Sequence, residues 1–433
     1  MASEERSAAA CETMAADDGA SSWRALMADA AVRRLFVATL LYMTAFQAAY
    51  FTGFISTATY AMGAGAGQVT VLVALLSGTF VAGNAISGVL IDRFGPRRTL
   101  AGACAADALV MALAFLVGRS YWNLVALASC YGLFSGAAST TLSAFPPYLV
   151  QGRARLKDAN GLNDTAIHVA IMVGPVMGGI LSSAVSAWSV YVFSLLLFVA
   201  ATAEALRLRE RFVPGADDAA CSDGPDGGGD AGSGGGFWRD FADGLRVTFA
   251  SPDLRAIFAI GFFGFFAYGA FDSLESVFYR DVLRVGPEWM GYLVMISGAG
   301  SVAGSVMLLR VDQRHVGLRL LSAMLLLTGV GSVVYVGTSN LACACVGQVL
   351  AGIGFGVMMP VQHMLVQERC ELGYVGRVSS VMRIGLNSAG VLPMLVAPFL
   401  ADAFGVQAVL VAASASVAVI GIGFLAAACR HER

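Results

Sequence analysis

Apolar residues run along this chain in long unbroken blocks, not in the alternation of strands or the stripes of surface helices. Twelve blocks can be marked, at about residues 35–57, 69–91, 99–118, 122–147, 161–183, 187–206, 256–279, 288–309, 318–337, 341–366, 379–402 and 406–427. Each is close to the ~20 apolar residues that a helix rising ~1.5 Å per residue needs to cross a ~30 Å hydrocarbon layer. The pattern predicts twelve transmembrane helices in an all-α membrane protein. Small residues recur at helical spacing, as in Gly291, Gly298, Gly300 and Gly304. They let helices approach closely where lipid supplies no hydrophobic drive. The first 22 residues are polar without an apolar core, so no cleavable signal segment is expected.

The polar intervals divide the chain. Residues 214–236 are rich in Gly, Asp and Ser, a composition that cannot bury a core and predicts a flexible linker. Directly after it, Phe237, Phe241, Leu245 and Phe249 recur every four residues, with Arg239, Asp240, Asp243 and Arg246 between them. This suits a helix lying in the membrane interface; the other reading is a soluble loop with incidental aromatics. The two sides of the linker also repeat. Residues 131–151 align without gaps on 347–367, sharing Gly136/Gly352 and the tripeptide L-V-Q, followed by Arg153/Arg369. Gly161-Leu162-Asn163 recurs as Gly385-Leu386-Asn387. The expected plan is a tail (1–34), a six-helix bundle (35–211), a linker with an interfacial helix (212–255), a second six-helix bundle (256–427) and a tail (428–433). Two parallel six-helix halves around a central cavity are the plan of one class of secondary transporter.

Composition agrees with lipid as the solvent: 57% of residues are hydrophobic and only 13% charged, too few charges to cover a water-facing surface. The net charge of −2 and the lack of a basic stripe exclude a nucleic-acid partner. Basic residues collect in alternate loops, while the other side holds Arg119, Arg280 and Arg284. By the positive-inside rule both termini are cytoplasmic. The eight cysteines are scattered, with no C-x-x-C pair and no Cys/His cluster, so no metal is expected. The only lysine, Lys157, sits in L-K-D, so no ATP-binding loop exists; no nucleophile turn is present either, and no enzyme activity is expected.

The loop after the second block reads G-V-L-I-D-R-F-G-P-R-R over residues 88–98. It resembles the G-x-x-x-D-R-x-G-R-R signature of the major facilitator superfamily, with Pro96 before the two arginines. The resemblance makes Gly88, Asp92, Arg93, Gly95, Arg97 and Arg98 a gating loop. It implies that Asp92 faces the start of the eleventh helix near Gly376 and Arg377 and latches the outward-open state. The corresponding loop of the second half, from Arg310 to Gly317, is degenerate. The stretches L-V-Q-G-R-A-R-L-K-D-A-N-G-L-N, F-Y-R-D-V-L-R-V-G-P-E-W-M-G-Y-L and L-V-Q-E-R-C-E-L-G-Y-V-G-R-V-S-S-V are similar to the branch of macrolide and siderophore exporters. Members of that branch expel amphipathic compounds, usually in exchange for protons.

Ionisable groups within the membrane are costly and hence candidates for function. Asp107, about eight residues into the third helix, either takes protons or is bonded to Ser or Thr on a neighbouring helix. Asp272 and Glu275, three apart on the seventh helix, share a face and resist double ionisation; alternatively they are solvated charges near its outer end. His168 and His363 are proton-coupling candidates beside the plainer reading of helix-bonded histidines. Arg383 is either a counter-ion or a snorkelling cation. A substrate cavity needs apolar and aromatic walls with few polar groups; Gln47, Tyr50, Tyr268, Gln362 and Asn387 are the candidates, with ordinary packing as the alternative for each. The expected protein is a multi-pass, monomeric transporter of the plasma or inner cell membrane that meets lipid, a small-molecule substrate and protons. It needs no cofactor, the proton gradient being the energy source. Export of drug-, macrolide- or siderophore-type compounds by alternating access is the first expectation. Uptake of a metabolite such as an organic anion is the alternative, weakened by the scarcity of intramembrane cations. A non-transporting sensor on the same scaffold is disfavoured by the intact loop signature.

Overall fold

A computed structural model describes residues 23–212, 234–312, 315–370 and 374–431. Among these residues there is no strand, and twelve helices are long and apolar enough to cross a membrane. The first crossing, α1, begins at Ala30–Gln47 and continues through π-helical turns, Ala48–Ile55 and Thr57–Ala61. There follow α2 (Ala66–Phe94), α3 (Pro96–Val117), α4 (Tyr121–Ala144), α5 (Arg153–Ala184) and α6 (Ser189–Arg207). The amphipathic segment forms α7 (Gly234–Ala250). Then come α8 (Pro252–Phe278, ending in a π turn, Tyr279–Leu283), α9 (Glu288–Leu308), α10 (Leu318–Val336) and α11 (Leu341–Arg369). The eleventh crossing is broken into α12 (Val375–Ala389) and α13 (Val391–Phe404), and α14 (Val406–His431) closes the chain.

Contacts divide the chain into two compact units. One comprises Met1–Thr57 and Leu75–Gly227; the other comprises Ala58–Ala74 and Gly228–Arg433. Most of the linker expected over 214–236 lies outside the described residues. The end of α1 and the start of α2 thus pack within the second unit. The physical reason is a clasp: Arg280 Nη1 donates to the carbonyls of Thr59 at 2.7 Å and Ala64 at 2.9 Å, and Thr59 Oγ1 donates to Ser276 Oγ at 2.9 Å.

Within each unit, equivalent helix pairs are seamed by glycine. In the first, a Cβ on Gly136 of α4 would collide with the backbone oxygen of Phe80 on α2. In the second, a Cβ on Gly352 of α11 would collide with that of Ser297 on α9. Gly300 and Gly304 meet the backbones of Val349 and Ile353 in the same seam. With no hydrophobic force between helices in lipid, such close approach is what supplies the packing.

Two features depart from the block pattern. The first crossing carries π turns, and hydroxyls of neighbouring helices donate to its backbone carbonyls: Tyr131 to Phe46 O at 2.8 Å and Tyr191 to Gly53 O at 2.7 Å. Tyr side chains inside a membrane thereby settle polar groups that lipid cannot. The expected single helix over 379–402 is instead interrupted at Gly390, where Gly269 of α8 presses its backbone against that of Gly390.

Candidate functional site

The loop between α2 and α3 is built on Gly95. Its φ of 81° and ψ of 155° belong to a region that only glycine enters without strain. This conformation places Pro96 at the first turn of α3, where its missing N–H costs nothing. Thr99 Oγ1 ties the turn down by donating to the carbonyls of Leu90 at 3.0 Å and Gly95 at 2.9 Å. The end of α6 clamps the loop: Glu210 accepts from the Arg97 backbone N–H at 3.2 Å, and the Arg97 guanidinium donates to the carbonyl of Leu206. Asp92, Arg93 and Arg98 are exposed, with the Arg93 guanidinium 5.4 Å over the ring of Phe94. Gly88 faces open space, so it serves no close helix contact within this unit.

Asp107 is fully buried in the first unit. Its Oδ2 accepts from Tyr42 on α1 at 2.8 Å and from Ser135 on α4 at 3.1 Å. Its Oδ1 has no hydrogen-bond partner, and no described cation pairs with it. A carboxyl in such a place is held by neutral donors alone. Rings surround it: Tyr42 lies 5.2 Å from Phe198, and Tyr131 lies 5.8 Å from Phe46. Tyr50 continues this wall, 6.2 Å from Phe46. Gln47 is half-buried, its Cβ lying where α1 passes Gly174 of α5.

In the second unit, Glu275 is the acceptor of a tyrosine network. Its Oε1 receives Tyr279 at 2.8 Å and Tyr335 of α10 at 2.6 Å, and the two hydroxyls are themselves 2.6 Å apart. Asp272, one turn earlier, is exposed, as is Tyr268. The shared face expected from their spacing therefore divides by depth: Glu275 is half-buried among hydroxyls and Asp272 is accessible. Tyr268 packs 5.8 Å from Phe355 and 6.0 Å from Phe265, giving an aromatic surface with a carboxylate beside it.

The remaining candidates separate from these clusters. His168 and His363 are exposed on α5 and α11. Gln362 is only 3% exposed, and both amide atoms lack hydrogen-bond partners among the described residues. It sits against Gly261, where any Cβ would crowd its Nε2. Arg383 and Asn387 belong to α12, but their side chains lie outside the described residues. The Asn of the matching motif in the first unit, Asn163, accepts from Thr39 at 2.6 Å, a packing bond between α1 and α5. The expected alternative for Asp107, a bond to Ser or Thr on a neighbouring helix, is met by Ser135 of α4, while the sequence offered no signal for Tyr42, Tyr279, Tyr335 or Glu210. Each acts through a residue far away in the chain or, for Tyr279, through a helical turn rich in aromatics. No described group of His, Cys, Asp and Glu could hold a metal ion.

Comparison with known proteins agrees with this architecture. The sequence model of the Major Facilitator Superfamily matches residues 35–392. A relative in Mycobacterium tuberculosis (strain ATCC 25618 / H37Rv), the multidrug efflux pump Tap, is 24% identical over 376 residues, 82% of this chain and 84% of the pump. The pump of the same name in Mycolicibacterium fortuitum is 25% identical over 369 residues, with the same coverage. Among solved structures, a POT family transporter in complex with 5-aminolevulinic acid superposes with a TM-score of 0.69 at 10% identity, covering 91% of this chain and 95% of that one. The nucleoside transporter NupG superposes with a TM-score of 0.66 at 13% identity, covering 92% and 98%. At such identities these structures share the fold.

Proposed function

The chain belongs to the Major Facilitator Superfamily, and from that premise we propose that it is a proton-coupled exporter of amphipathic drug-like compounds. It is a multi-pass membrane transporter and not an enzyme. The observation that carries the export reading is the similarity to the Tap multidrug efflux pumps along most of the chain. The geometry supports the substrate class. Tyr268 and Asp272 offer an exposed aromatic and acidic face, which suits an amphipathic cation by ring contact and charge. The acidic groups within the spans, Asp107, Asp272 and Glu275, disfavour an organic anion as cargo.

In this reading Asp107 and the Asp272–Glu275 pair exchange the protons. Tyr42 and Ser135 hold Asp107 in place, while Tyr279 and Tyr335 hold Glu275. Protonation removes a buried charge and changes which hydroxyl donates, and that gives each cluster two states for substrate and proton to bias. The loop around Gly95 acts as the gate, with Asp92 as its latch. The protein lies in the cell membrane as a monomer with both termini in the cytoplasm. The test is efflux of macrolides, cationic dyes and catechol siderophores from cells making the protein, with and without an uncoupler. Efflux that collapses with the proton gradient is the expected result. Efflux indifferent to the gradient would remove the coupling, and no efflux from a correctly inserted protein would remove the export reading.

A further inference from the structure

The second unit contains a hollow that the transport reading does not use. It is a groove of about 550 Å³ enclosed by α8, α13 and α14. Its origin is local. Gly269 and Gly390 bring α8 and the break between α12 and α13 into backbone contact. Beyond that point α13 contains Pro398, which cannot complete the helical hydrogen-bond ladder. At its end Gly405, with φ of 88°, turns the chain into α14. The walls combine bulky residues, such as Phe266 and Leu400, with small ones, such as Ala270, Ala408 and Ala412. The small side chains leave the space that the bulky ones enclose.

Every one of the twelve lining residues is apolar. Water placed there would find no partner, and an empty space would forfeit dispersion contacts along its whole wall. The groove is continuous with the lipid-facing surface. Its rim residues Leu392, Val396, Leu400 and Phe404 stand four apart on α13, and all are exposed, Leu392 by 63% and Phe404 by 71%. Ala408 and Ala412 lie within two turns of Gly405, so the groove belongs to the bilayer leaflet on that side, opposite the C-terminal end of α14. We propose that it is a binding site for one acyl chain of a bilayer lipid of that leaflet, and that the bound chain braces α8 against α13 and α14. A site without a polar lining selects for hydrocarbon and not for a head group. The assignment does not depend on the export reading.

The protein is reconstituted in vesicles containing a phosphatidylcholine with a diazirine in its acyl chain, irradiated, and digested for peptide mapping. Labelling is expected to concentrate on residues 392–412 above the level at Val419 and Ile422, which are lipid-exposed on the same α14 without lining the groove. Ala412→Trp, which places an indole across the groove, is expected to lower the excess while leaving Val419 and Ile422 labelled. Ala408→Leu serves as a milder filling variant should the indole prevent folding. Stripping lipid with detergent is expected to lower the unfolding midpoint of the natural protein more than that of the filled variant. Uniform labelling of all exposed positions would overturn the site. Excess labelling that persists in both filling variants would overturn the groove as its place.

Discussion

Tyr42→Phe isolates the bond that holds Asp107. The Tyr42 hydroxyl is fully buried and donates at 2.8 Å to Asp107 Oδ2. Without it, Ser135 at 3.1 Å is the last donor to a carboxyl whose other oxygen already has none. Leaving a buried polar group short of a partner costs about 1–3 kcal/mol. At about 1.4 kcal/mol per decade, the folded-to-unfolded ratio falls roughly five- to 150-fold. The loss must come through Asp107. In an Asp107→Leu background the acceptor is gone, and Tyr42→Phe should then cost less than ~0.5 kcal/mol, the difference between backgrounds being the coupling of the pair. In an Asp107→Asn background an acceptor remains, and the cost should return. The assay is unfolding by SDS in mixed micelles, followed by reaction of a thiol dye with Cys104, which is buried one turn from Asp107. An equal loss in the natural and Asp107→Leu backgrounds would assign the effect to the ring and leave the hydroxyl bond without weight.

Other expectations follow from separate parts of the molecule. Gly136→Leu and Gly352→Leu should both abolish folded protein in the membrane, because each would drive a side chain into a facing backbone, whereas Gly88→Ala should fold normally; detergent gel filtration with a fluorescent tag reads all three. Gly95→Ala should cost about 1–3 kcal/mol through its positive φ, and Asp92→Asn should stop transport without that cost; normal flux in Asp92→Asn would remove the latch. Burial alone would raise the carboxyl pKa of Asp29, at the head of α1, but the Arg211 hydrogen bond, the Ala31 N–H and the Arg211 charge outweigh it and lower the pKa below its ordinary 3.8. The stability it contributes is therefore complete above that ordinary value and is lost as pH falls through the lowered one. Asp29→Asn should flatten this acid limb of an unfolding profile, and an unchanged limb would dismiss the pair.

The crossings were legible because lipid imposes one simple demand, an apolar run long enough to span it. That Asp107 lies well inside the third crossing was read from helical rise, and the side chain is fully buried in the protein. Its partners did not follow, since Tyr42 and Ser135 stand 65 and 28 residues away, and a hydroxyl in an apolar run carries no mark of what it bonds. The same holds for Glu275, bonded to Tyr335 across 60 residues. Three-residue spacing placed Asp272 and Glu275 on one face, yet spacing says nothing of depth, and only the neighbours from α10 separate them. The break at Gly390 was hidden because a glycine in a membrane helix reads equally as close packing or as interruption; here it is both.

The Arg280 clasp draws a boundary that the gene does not. The internal repeat suggests two copies of one ancestral six-helix unit, joined by a linker. Yet the second unit is completed by Ala58–Ala74, a piece encoded in the first copy. A polypeptide beginning after the linker would carry Arg280 and Ser276 without the carbonyls of Thr59 and Ala64 or the hydroxyl of Thr59. Splitting the gene at the linker would therefore leave a scar far from the cut. The second copy has come to depend on the first, and it is not inherited whole without it.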